Sequence, residues 1–119
     1  DDEAYYNALN DADIPCMTRI NTGYANAGFP FKLGEFLATG KPVVASDISD
    51  VGQLLKNRRD AVLVTPGDSG DIAAAIEFLV NNPEEASSIG ARGREKAEKL
   101  FDYRTQGQSL VNFLYSLYE

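Results

Sequence analysis

The residue types able to do chemistry are concentrated in one segment, Asn26-Ala27-Gly28-Phe29-Pro30-Phe31-Lys32-Leu33-Gly34-Glu35. Gly28 gives the backbone freedom to turn and lets a ligand approach the main chain. Pro30 suits the first position of a helix, which leaves the amides of Phe31, Lys32 and Leu33 pointing outward as a cradle for an anion. In that first turn the helix dipole opposes Lys32 by roughly a few tenths of a kcal/mol, a sign that a bound diphosphate reverses. Glu35, near one turn further on, can accept two hydrogen bonds from vicinal hydroxyls such as those of a ribose. The same spacing suits plain structure equally: an exposed Lys32–Glu35 ion pair at i, i+3, Phe29 and Phe31 in the core, and Gly28-Phe29-Pro30 as a loop. Spacing alone leaves both readings open.

The whole chain narrows the choices. It has 119 residues, eleven Lys and Arg against eighteen Asp and Glu, and a net charge of −7. That length suits one compact domain. With no histidine, imidazole bases, histidine metal ligands and Cys–His pairs are excluded within these residues. The single cysteine, Cys16, cannot form an internal disulfide and makes a zinc site implausible. The acidic balance argues against nucleic acid as a partner. The longest apolar stretches, such as residues 110–118, are too short to span a bilayer, and no basic, apolar opening reads as a signal peptide. The expected location is cytoplasmic.

The elements that must position the segment follow from pattern. Asp1, Asp2 and Glu3 form an acidic first turn for a helix carrying Tyr5, Tyr6 and Leu9. Residues 14–18 suit a short strand with Pro15 near its start, and a polar loop runs over 19–27. A helix is expected from Pro30 to Gly40. The β-branched run 42–46 is of the kind buried in parallel sheets, and 61–64 is a third strand, with a short helix over 49–56 between them. After a loop at 66–70, Ile72, Ile76, Leu79 and Val80 mark a helical face. Asn82-Pro83-Glu84-Glu85 reads as a cap, a proline at the first position and an acidic turn opening the next helix. Asp102 can cap a last helix with Leu110, Phe113, Leu114 and Leu117 on one side. Strands alternating with helices predict an open parallel α/β sheet. Three strands are few for it, so the expected unit is part of a larger lobe, 1–119 forming one truncated domain.

From Gly28 to Ser46 the residues Gly28-Phe29-Pro30-Phe31-Lys32-Leu33-Gly34-Glu35-Phe36-Leu37-Ala38-Thr39-Gly40-Lys41-Pro42-Val43-Val44-Ala45-Ser46 resemble the donor-site segment of the group 1 (family 4) glycosyltransferases, retaining enzymes of the GT-B fold. The likeness continues more loosely through Gly52, Leu63-Val64 and Pro66-Gly67-Asp68. It implies a Rossmann-like C-terminal lobe that holds a nucleotide-diphosphate sugar. The backbone from Gly28 through Phe29, Pro30, Phe31, Lys32 and Leu33 would contact diphosphate and sugar, and Glu35 would bind the ribose. No cofactor and no bound metal are implied. The acceptor, a saccharide or a lipid-linked one, would sit on an N-terminal lobe. A lipid-linked acceptor would bring the parent enzyme to the inner membrane surface. One departure is plain: the pattern has two glutamates separated by seven residues, and position 27 is Ala27. The residue that usually contacts the donor sugar is thus missing, and Asn26 is a candidate substitute. No catalytic base is assigned.

Other features have simpler readings beside their functional ones. Thr18 and Arg19 end the first strand, where a phosphate can bind, and structural roles suit them equally. Ser46, Asp47, Ser49 and Asp50 read as caps of the short helix before a metal or base role. Lys41 does not fit a phosphate-binding loop, because five residues separate Gly34 from Gly40 and proline follows. Gly90 and Gly93 lie within a helical stretch and do not form a dinucleotide fingerprint. Cys16 reads as a small buried apolar residue. For the last helix core packing is the default; in the resembling fold residues 102–119 would cross to the other lobe, and alone they would invite self-association. A GT-B sugar-nucleotide epimerase and, less readily, a phospho-acceptor receiver domain are the competing readings. The receiver pattern opens with a strand before its acidic pair, whereas here the pair opens the chain.

Overall fold

Residues 42–46 carry no charge and include the β-branched pair Val43-Val44, and the strand they form has both faces covered. In the computed structural model, which describes residues 1–23, 28, 30 and 32–118, β2 (Val44–Ser46) is the middle of a three-stranded parallel sheet. It lies between β1 (Cys16–Met17) and β3 (Val62–Val64), with Cys16 opposite Val44 and Val44 opposite Val62. The helices are α1 (Asp2–Asp11), α2 (Lys32–Ala38), α3 (Val51–Leu54), α4 (Ser69–Asn81), α5 (Pro83–Leu100) and α6 (Tyr103–Ser116).

Period-two alternation along β2 sends its side chains to two cores. Val43 and Ala45 join Leu33, Leu37, Val51, Leu55, Ala61 and Ala97 on one face, beneath α2 and α3. Val44 joins Val62, Val64, Ala75, Leu79, Ala86 and Ile89 on the other, beneath α4. α5 serves both cores, through Ile89 at one and Ala97 at the other. Two glycines let it come so close. A Cβ on Gly90 would lie 2.2 Å from the Gly40 carbonyl oxygen, and one on Gly93 would lie 2.6 Å from that of Asp60. The expected α/β order is therefore found, with helices on both faces of a Rossmann-like parallel sheet.

Several local expectations are corrected. Ser49 has φ of 51°, so the short helix cannot start there and begins at Val51. Asp50 occupies the N-cap position without a side-chain cap bond. α4 begins inside the expected loop, because the Asp68 carboxylate accepts from the Asp71 amide. The Asn82 side chain donates to the Phe78 carbonyl at 2.8 Å instead of capping α5, whereas Asp102 does cap α6 by accepting from the Arg104 amide. Cys16 is exposed: it lies on the edge strand, and alternation turns Met17, not Cys16, toward the core. α6 buries none of its residues, so its apolar face is not core among the described residues. No helix among them is long and apolar enough to cross a membrane.

Candidate functional site

All three strands run parallel, so their carboxyl ends share one edge of the sheet, where open α/β sheets bind ligands. The loop after β1 is tied to that edge by Ser46. Its buried hydroxyl accepts from the Arg19 amide at 2.7 Å and donates to the Arg19 carbonyl at 3.3 Å. Ser46 is thus a strap between two strand ends, which the cap reading missed. Thr18 is exposed on the same edge and Arg19 is half-buried. The Asp47 amide donates to the Val64 carbonyl at 2.9 Å, while its exposed carboxylate lies where a Cβ on Gly52 would approach Oδ1 to 2.3 Å. An open cleft of about 480 Å³ beside β3 is lined by Asp47, Asn57, Thr65 and Asp71. Its two carboxylates and lack of any cation make it a poor seat for a diphosphate.

The positive and hydroxyl-binding groups sit instead on α2. Leu33 and Leu37 are wholly buried, which fixes the rotation of the helix and turns Lys32 and Glu35 outward. Gly28 is exposed just before it, and Pro30 is buried. The Leu33 amide donates to the Pro30 carbonyl at 3.0 Å, so it is already used within the turn. That corrects the expectation of an open Leu33 amide: the residue is core. Asn26, Ala27, Phe29 and Phe31 lie outside the described residues.

A residue that motif reading passed over completes this cluster. The Tyr5 hydroxyl, on α1, donates to Glu35 Oε2 at 2.6 Å. The same ring lies under Lys32, with Nζ 5.5 Å from its centroid, and Tyr6 packs edge-on against it at 5.1 Å. One side chain therefore touches both Lys32 and Glu35. The hydrogen bond to the Glu35 carboxylate, followed by desolvation, pushes the Tyr5 pKa up to about 12. Tyr5 thus remains a donor throughout the neutral range. A carboxylate offers about four acceptor positions, so Glu35 keeps enough free for two hydroxyls of a ligand. No local signal links residues separated by thirty positions; only the docking of α1 beside α2 brings them together. The far end of α1 is fastened too, by Lys41 Nζ donating to the Asn10 carbonyl. That gives Lys41 a structural use, at a helix end where a cation is favoured.

Comparison with known proteins identifies the family. The model for glycosyl transferases group 1 matches residues 1–96. The chain is 28% identical over 111 residues to the MMP alpha-(1->4)-mannosyltransferase of Mycolicibacterium hassiacum, covering 92% of the chain and 26% of that protein. It is 31% identical over 111 residues to the phosphatidyl-myo-inositol mannosyltransferase of Mycobacterium leprae, covering 93% and 28%. Among solved structures it is similar to Anabaena HepE in complex with UDP, with a TM-score of 0.80 at 24% identity, over 92% of the chain and 29% of HepE. The chain thus spans little more than a quarter of the length of these relatives. The architecture is that of part of a GT-B lobe. The match over residues 1–96, four-fifths of the sequence, shows that the chain belongs to the glycosyl transferases group 1 family.

Proposed function

We propose that this chain is the donor-binding part of a retaining glycosyltransferase, which moves a sugar from a nucleotide-diphosphate sugar to a hydroxyl of a saccharide or lipid-linked acceptor. Glu35 receives the ribose hydroxyls. The backbone from Gly28 through Lys32 follows the diphosphate, with the Phe29 and Phe31 amides as its donors. Lys32 neutralises charge that builds on the leaving diphosphate, the task a metal ion performs in other transferases. Thr18 and Arg19, after the end of β1, add contacts to a phosphate, and Asn26 takes the place of the sugar contact that Ala27 lacks. The acceptor is held by a second lobe of the longer protein. The working location is the cytoplasm, at the inner membrane surface when the acceptor is a lipid. Residues 102–119 carry the apolar face that meets the rest of the protein or, without it, a second copy.

One observation carries this reading: an outward Glu35 carboxylate, held by Tyr5 beside Lys32 on a helix whose opposite face is locked in the core. The similarity to HepE, solved with UDP and with UDP-glucose, supports it. Ligand-observed NMR of the chain against UDP-, GDP- and ADP-sugars tests it, with Glu35→Ala as control. Selective contact with one nucleotide's ribose, lost in the variant, is expected. Absence of contact with every nucleotide, or contact unchanged in Glu35→Ala, contradicts it.

A further inference from the structure

The chain has a second concentration of positive charge, at the opposite end of the sheet. A cleft of about 520 Å³ opens between α3, the turn leading into β3, and the outer half of α5. Lys56, Arg59, Arg92, Lys96 and Lys99 surround it, and among the described residues Asp60 and Glu95 are its acidic lining. These five are almost half of the eleven basic residues in a sequence that carries eighteen acidic ones. Five cations against two carboxylates leave a formal excess of three positive charges around the cleft. Asp60 is buried, and its carboxylate accepts from the Lys56 amide at 2.9 Å; Glu95 meets Lys99 at 3.7 Å. Among the described residues, Lys56, Arg59, Arg92 and Lys96 have no carboxylate partner.

The backbone aims these cations. Arg58 takes φ of 63°, left-handed for a non-glycine residue, and its guanidinium turns away to lie 4.1 Å from the Phe78 ring centroid. The turn so formed leaves Lys56 and Arg59 on the cleft, facing α5. The Arg59 carbonyl accepts from Arg92 Nε at 2.8 Å, which fixes that guanidinium at the mouth. On α5, Arg92, Lys96 and Lys99 follow at four- and three-residue spacing, where like charges disfavour the helix. Convergence of two arginine guanidiniums and three lysine ammoniums suits phosphate, which both side chains bind well.

We propose that this cleft is a second anion site, independent of the nucleotide site, that takes a phosphate-bearing ligand: a soluble diphosphate or the headgroup of an anionic lipid. Amide NMR of the chain, titrated with sodium pyrophosphate at low salt, is the first arm of the test. Sedimentation with phosphatidylcholine vesicles, with and without phosphatidylglycerol, is the second. Arg59→Glu with Lys96→Glu reverses two charges on the rim, and the milder Arg59→Gln with Lys96→Gln guards against misfolding, checked by thermal unfolding. Pyrophosphate shifts at residues 52–60 and 92–99, weakened about tenfold by the reversal and less by the neutral pair, support the proposal and name a soluble ligand. Vesicle binding that needs phosphatidylglycerol and is lost in the same variants supports it and names a headgroup. Shifts confined to residues 32–35, binding equal in wild type and variants, or no response in either arm would each overturn it.

Discussion

α2 and α6 are both amphipathic helices, and they end in opposite conditions. α2 has seven residues, buries Leu33 and Leu37 completely, and presents Lys32 and Glu35 on its free side. α6 has fourteen residues and buries none, with Leu110, Phe113, Leu114 and, at its C-cap, Leu117 each about half exposed or more. The difference lies in what each helix meets. α2 docks on α5 at a place cleared by small residues: Gly34 lies against Phe101, and Gly90 sits on the backbone that follows α2 at Gly40. α6 has no such seat among the described residues. Its start is held by the Asp102 cap and by an exposed ion pair of Arg104 with Asp102 at 2.9 Å, which is worth little. An apolar stripe therefore fixes a helix only where a complementary surface exists.

The contrast can be broken most forcefully at Gly90. Gly90→Ala sets a Cβ against the Gly40 carbonyl, which cannot move without α2, and should cost about 3 kcal/mol or more in urea unfolding. Leu33→Ala empties the inner face of α2 and should cost about 3 kcal/mol, with nucleotide binding lost alongside. Tyr5→Phe acts on the outer face alone and should cost less than about 1 kcal/mol, since its hydrogen bond is exposed to solvent. Tyr5 also has a pH signature. Its folded pKa is raised from 10.0 to about 12, so this bond stabilises fully below pH 10 and is lost as pH climbs toward 12. Absorbance titration of the tyrosinates should show a late-ionising component that vanishes in Tyr5→Phe. At the small end, Leu114→Ala on α6 should shift stability by no more than about 0.5 kcal/mol in this chain. A loss of several kcal/mol there would mean that α6 has a seat after all, and would dissolve the comparison.

What the sequence made legible follows the same division. The uncharged runs at 42–46 and 61–64 and the alternation of elements were enough for the parallel sheet, because burial on both faces leaves a local mark. The outward placement of Glu35 and Lys32 on a helix was readable because proline, glycine and helix spacing are local as well. Tyr5 was not, since its partner stands thirty residues away and the link is tertiary. Leu33 was misjudged at its amide because a helix entry can close with a bond to Pro30 instead of an open donor. Cys16 was misjudged because its burial depends on whether an edge strand is covered, which its own neighbours do not encode. Leu110, Phe113 and Leu114 carry a stripe that says the helix wants a partner and nothing about which one.

The central claim is that Glu35 receives the ribose of a nucleotide, and one pair of affinities tests it most directly. The nucleoside diphosphate that the chain selects is compared with its 2′,3′-dideoxy counterpart, on wild type and on Glu35→Ala. Two hydrogen bonds to a carboxylate should favour the ribose form about tenfold in wild type, and that preference should vanish in the variant. A preference that survives unchanged in Glu35→Ala would place the ribose elsewhere and contradict the account.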